Sequence, residues 1–137
     1  IELVPMNHPG GAFGYKVTVN NTTICYFTDN EIDPPYKKSI EIDELTKKCN
    51  QVDVLIHDAQ YTEDDMPLKH GWGHSLINQV TELGKNANVK KLIYFHHDPE
   101  RDDESLDNQA KQASNYLKKS GSSVESYFAK EGLKITL

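Results

Sequence analysis

The sequence predicts an α/β layer structure in one domain, residues 1–137. Three observations carry this reading. Two β-rich runs flank Asn20-Asn21, two short apolar runs stand at Val52 to His57 and Leu92 to Phe95, and an amphipathic stretch lies between those apolar runs.

Gly14 to Val19 and Thr23 to Thr28 are rich in β-branched and aromatic residues. The Asn20-Asn21 pair between them tolerates the positive φ of a tight turn, so the two runs pair as an antiparallel hairpin. Pro34-Pro35 ends that pattern, and Asp43 to Cys49 reads as a short helix. The apolar residues of Val52 to His57 and Leu92 to Phe95 run together instead of alternating, which marks buried strands. Between them, Ser75 to Asn88 sets Leu76, Ile77, Val80, Leu83 and Ala87 on one stripe, with Ser75 as a plausible cap. Strand, helix and strand form a right-handed parallel βαβ unit. Leu106, Ala110, Ala113 and Leu117 recur at helical spacing in Asp102 to Lys119, whose acidic start and Lys-rich end suit the helix dipole. Gly121 ends that helix. Val124 to Lys130 then reads as a shorter helix and Leu133 to Leu137 as a final strand.

The net charge of −6, from 15 Lys+Arg against 21 Asp+Glu, excludes a broad basic footprint for nucleic acid. No apolar run approaches the ~20 residues that cross a bilayer, and the N-terminus has no signal-type core. Cys25 and Cys49 fit no CxxC spacing, so both are expected to be reduced and the chain cytoplasmic.

All six histidines fall at or near predicted element ends, where α/β sheets bind ligands. His8 precedes Pro9-Gly10-Gly11, His57 ends a strand, His70 and His74 share a loop, and His96-His97 leave another strand. Asp29 follows a strand, while Asp58 and Asp98 each adjoin a histidine. Imidazoles with carboxylates suit divalent first-row metals. Bland readings exist for each: His8 as a loop residue, Asp29 as a turn or cap, His74 as part of an ordinary Gly-rich loop. Adjacent imidazoles at His96-His97 are hardest to explain that way.

Five segments together resemble the metallo-β-lactamase-fold hydrolases, in the branch of the RNase Z-like phosphodiesterases. They are His8-Pro9-Gly10-Gly11-Ala12-Phe13-Gly14-Tyr15, Tyr26-Phe27-Thr28-Asp29-Asn30, Leu55-Ile56-His57-Asp58-Ala59-Gln60-Tyr61, Gly73-His74-Ser75 and Leu92-Ile93-Tyr94-Phe95-His96-His97. The resemblance implies an αββα sandwich and two divalent metal ions, Zn, Mn or Fe. It makes His8 a ligand of one metal, Asp29 the bridge and His96 the ligand of the other. It gives His74 the role of general acid or electrostatic donor, oriented by Asp58. The family commonly has Glu at the Asp58 position, so the shorter side chain is expected to need a water or a shifted backbone to reach. The paired metals would activate a water for in-line attack on phosphorus, and their charge would admit an anionic substrate to an acidic protein.

The family string His-x-His-x-Asp-His, which supplies most of the ligands, occurs nowhere in this chain. The resemblance is therefore to the C-terminal half of the sandwich, a mixed sheet with helices on one face, active only together with an N-terminal half on the same parent chain or another. Such a half should expose an apolar sheet face, which the 36% apolar composition does not advertise. The implied substrate is a small phosphodiester, such as a cyclic nucleotide, with nucleic acid disfavoured by charge and a homodimer left open. Residues Leu3 to Phe13 would line the substrate mouth. Phe13, Tyr15 and Trp72 are candidate stacking or packing groups, core packing being preferred for Tyr15. The rival readings are a non-catalytic α/β partner-binding module and, more weakly, a flavodoxin-like regulator.

Overall fold

A computed structural model describes all 137 residues. Six strands form one mixed sheet in chain order: β1 (Glu2–Met6), β2 (Ala12–Val19), β3 (Thr22–Phe27), β4 (Val54–Asp58), β5 (Lys91–Phe95) and β6 (Glu125–Phe128). Three helices connect the later strands: α1 (Ile42–Cys49), α2 (Ile77–Asn86) and α3 (Asp103–Lys119). β1, β2 and β3 run antiparallel, whereas β3, β4, β5 and β6 are parallel. The Asn20-Asn21 hairpin forms with both residues at positive φ.

Two expectations fail at the C-terminus. Val124 to Lys130 is not a helix: Glu125–Phe128 is β6, paired with β5 from Lys91↔Glu125 to Tyr94↔Phe128. Val124 and Phe128 have helical spacing, but the exposed edge of β5 offers a ladder that outweighs local preference. Leu133 to Leu137 adopts no strand. Helix α2 begins at Ile77 with Leu76 at its cap, so Ser75 caps nothing. Its hydroxyl instead donates to the Asn30 carbonyl at 2.5 Å.

Strand alternation divides the sheet into two unlike faces. One carries Val4, Met6, Cys25, Phe27, Leu55, Leu92 and Tyr94 into a single core with Leu45, Val80, Leu83, Ala113 and Leu117 from the three helices. Cys25 and Cys49 lie in this core as free thiols. Tyr94 is fully buried there and shares a 2.7 Å hydrogen bond with the Thr81 hydroxyl, burial pushing its pKa up to about 12.

The opposite face has no helix over it. Leu3, Phe13, Tyr15, Val17, Ile24, Tyr26, Ile56, Ile93 and Phe95 point there by register, each paired in the ladders with a residue of the same face or set on its alternation. Leu3 is 58% exposed, Phe13 61% and Tyr15 46%. Tyr15 therefore does not pack in the core, and Leu3 to Met6 belong to the edge strand β1. This is the bare apolar face that a half-sandwich requires, concentrated on one side of a chain of low apolar content.

Candidate metal and acid–base site

Three turns at the C-terminal ends of β3, β4 and β5 and the turn after β1 carry the site. Asp29 and His96 each follow a strand at positive φ, 53° and 58°. That left-handed bend ends the ladder and turns both residues onto the same rim, an uncommon conformation for non-glycine residues.

The structure brings His8, Asp29, Asp58, His74 and His96 together. One ligand atom from each of His8, Asp29 and His74 lies within 4.8 Å of the others, and the same holds for Asp58, His74 and His96. His74 stands in the middle. Its ring stacks on His96 at 4.8 Å between centroids and meets His8 edge-on at 5.8 Å. His96 Nε2 is 3.8 Å from Asp29 Oδ1. These donors match the imidazole and carboxylate chemistry of a divalent metal centre, and His96 Nδ1 is buried with no hydrogen-bond partner.

Asp58 is wholly buried and reaches His74 directly. The Nδ1–H of His74 donates to Asp58 Oδ2 at 2.5 Å, and the Ser75 amide donates to Oδ1 at 3.2 Å. No water or backbone shift is required, which corrects the expectation for the shorter carboxylate. Burial pulls the His74 pKa down, but the hydrogen bond and charge of Asp58, helped by Asp29 and Glu31, outweigh it and hold it above the ordinary imidazole value.

His57 and His97 are built differently. His57 is buried, with Nδ1–H donating to the Asp58 carbonyl at 2.6 Å and Nε2 accepting from the Asn30 amide at 3.2 Å. Burial lowers its pKa more than Asp58 raises it. His97 stacks on Phe128 at 5.2 Å and donates through Nε2 to the Ala129 carbonyl at 3.1 Å. Both act as structural histidines. His70 donates to the Asp33 carbonyl at 3.0 Å, at the edge of the site.

Several supporting residues gave no signal in the sequence beyond their neighbourhood. Asn7 and Asn30, each beside a site residue, are buried and cross-bonded: the Asn7 amide N–H donates to Asn30 Oδ1 at 2.8 Å. Glu31, only 3% exposed, accepts from the Gly71 and Gly73 amides at 2.8 and 2.9 Å. It thereby fixes the turn that delivers His74. Gly73, at φ +96°, leaves no room for a side chain: a Cβ there would lie 2.2 Å from His8 Cδ2. Asp98, noted beside His97, is instead held by Lys69 at 2.5 Å, and Lys69 lies over the Tyr61 ring. Tyr61 in turn meets His74 edge-on at 5.8 Å.

Comparison with known proteins identifies the family and the fold. The family model described as "Beta-lactamase superfamily domain" matches residues 3–97. Ribonuclease Z of Bacillus velezensis is 28% identical over 109 residues, covering 69% of this chain and 35% of that protein. Ribonuclease Z of Picrophilus torridus is 32% identical over 95 residues, covering 69% of this chain and 28% of that protein. The chain thus spans about a third of the length of these relatives. Among solved structures, the metallo-beta-lactamase fold protein YhfI from Bacillus subtilis superposes with a TM-score of 0.69 at 21% identity, over 96% of this chain and 46% of that one. The short form of human tRNase Z gives a TM-score of 0.63 at 18% identity, over 98% of this chain and 41% of that one. The half-sandwich, its bare face and the matched segment have one explanation: this chain belongs to the beta-lactamase superfamily.

Proposed function

We propose that this chain forms the C-terminal half of a metal-dependent phosphodiester hydrolase. The observation that carries the reading is the meeting of His8, Asp29 and His96 around His74, whose Nδ1–H is held by the buried Asp58. His8 and Asp29 would hold one divalent cation and Asp29 with His96 a second, the remaining ligands coming from an N-terminal half seated on the bare sheet face. Such cations supply positive charge for phosphoryl oxygens and a lowered pKa for water. The chain's own part is acid–base and positional. Asp58 holds the Nδ1–H of His74 and orients the ring, so that in its charged, doubly protonated form the imidazole can give its Nε2 proton to the departing oxygen, and the raised pKa favours that charged form.

Two kinds of support bear on the substrate. The curated relatives are named Ribonuclease Z, which favours a phosphodiester. The charge of −6 favours a small one over a long polyanion. A second reading, a partner-binding module without turnover, draws on one observation: both donor trios share His74, which cannot serve at once as ligand and proton donor.

The test uses the chain combined with an N-terminal half that bears the His-x-His-x-Asp-His string, assayed on bis(p-nitrophenyl) phosphate, on 2′,3′-cyclic AMP and on RNA. About two Zn, Mn or Fe per chain and chelator-sensitive hydrolysis are expected. His74→Ala should retain metal while losing about 100-fold or more in rate. Hydrolysis that survives both the chelator and His74→Ala refutes the reading. Metal loading without turnover on any of the three substrates decides for the binding module.

A further inference from the structure

The site assigns no group to recognise what the phosphate is attached to, and one residue beside it stands ready for that role. Trp72 is the chain's only tryptophan and is 58% exposed. Every other large exposed aromatic except Tyr116 lies on the bare sheet face and needs no further account: Phe13, Tyr15 and Tyr26 are strand residues of that face. Trp72 is on no strand.

Its backbone is held on both sides. The amides of Gly71 and Gly73 donate to the two oxygens of one carboxylate, that of buried Glu31, at 2.8 and 2.9 Å. The Trp72 amide itself donates to the Lys69 carbonyl at 3.3 Å. Gly71 is wedged against Pro35, where a Cβ would meet Cγ at 3.0 Å, and Gly73 lies against His8 and Pro9. Both glycines have positive φ, so the turn folds tightly around Trp72. The indole, by contrast, stacks on no other ring and donates no hydrogen bond. A well-anchored backbone carrying a free, water-facing indole two residues from His74 is a preorganised surface, with the ordering cost of the turn already met by the fold. Its flat π face suits another flat π system.

We propose that Trp72 is a specificity-determining platform on which the base of a nucleotide substrate stacks beside the site. This rests on the phosphodiester reading above. Stacking tolerates any base, so the platform would distinguish nucleotides from base-free phosphodiesters without choosing among nucleotides.

Because Trp72 is alone, its own fluorescence reports binding. AMP and ribose 5-phosphate, titrated into the wild-type chain to millimolar concentration, differ only in the base. AMP is expected to quench the emission saturably and ribose 5-phosphate to leave it unchanged. By equilibrium dialysis, Trp72→Ala and Trp72→Leu should each weaken AMP binding about tenfold or more, and Trp72→Tyr should restore most of it. At so exposed a position these variants keep the fold, which circular dichroism checks. Equal binding of AMP and ribose 5-phosphate, or equal AMP affinity in Trp72→Leu and the wild type, overturns the proposal. Hydrolysis of base-free bis(p-nitrophenyl) phosphate by the combined protein tests the reaction separately. Turnover without base preference sinks the platform and leaves the reaction. Base-dependent binding without turnover sinks the reaction and leaves the platform.

Discussion

Gly73→Ala places a methyl group where the structure has none to spare. The new Cβ would stand 2.2 Å from His8 Cδ2, 2.8 Å from His8 Nε2 and 2.8 Å from Pro9 Cδ, at a φ of +96°. Holding a residue with a Cβ in that backbone region costs about 1–3 kcal/mol. To regain an ordinary carbon–carbon separation of about 3.5 Å, the His8 ring must retreat by roughly 1 Å. His8 is one of the three groups whose ligand atoms cluster with Asp29 and His74. Displacing a metal ligand through a supporting residue weakens metal binding by about 10- to 100-fold. Competition with a chromophoric chelator for Zn²⁺ measures that loss, and a urea melt measures the strain. Gly10→Ala is the control: its Cβ would sit 3.6 Å from His8 Nδ1, an ordinary contact, so zinc affinity and stability should stay near wild type. Unchanged zinc affinity in Gly73→Ala would show that His8 is not held against this turn, or is not a ligand.

Two further perturbations test neighbouring parts of the site. Glu31→Gln keeps one acceptor but turns an NH₂ toward the amide of Gly71 or Gly73, leaving a buried donor unpaired; urea denaturation should show a loss of about 1–3 kcal/mol. His57, buried and depressed in pKa, stays neutral in the folded chain at pH values where the unfolded chain takes up a proton. Its contribution is therefore intact above the unfolded pKa of about 6.5 and is lost as pH falls below it, at up to about 1.4 kcal/mol per pH unit. Urea melts between pH 5 and pH 8 should show a shallower acid limb in His57→Gln than in wild type; identical limbs would refute the assignment.

Much of the sheet could be read in advance because its strands carry local marks. Asn20-Asn21 announces the hairpin, and the continuous apolar runs announce β4 and β5. The misses have specific causes. β1 went unread because Pro5 interrupts it, yet an edge strand tolerates a residue with no N–H to give. β6 was hidden by the Val124 and Phe128 spacing, since its strand character comes from β5. The bare face was invisible to composition, which averages over sides, and plain only once register separated Leu3, Tyr15 and Tyr26 from Val4 and Cys25.

For the site, element ends pointed to His8, Asp29, His74 and His96, because a polar residue leaving a buried strand is conspicuous. Glu31 was not found: a glutamate in a polar loop looks solvated until two glycine amides from 40 residues away close over it. The Asp58 and His74 contact was expected to fall short, because side-chain length was weighed without the close approach of the two loops that the Ser75 amide secures.

The uncovered side of the sheet also governs how this polypeptide must be made. A β-layer that shows leucine and aromatic side chains to water is adhesive toward any similar layer. On the proposed reading, docking of a complementary half would cover that layer and add stability that grows with that half's concentration. Produced alone, the chain is expected to associate with its own copies through that layer, and on the proposed reading co-production with a complementary half would suppress that association.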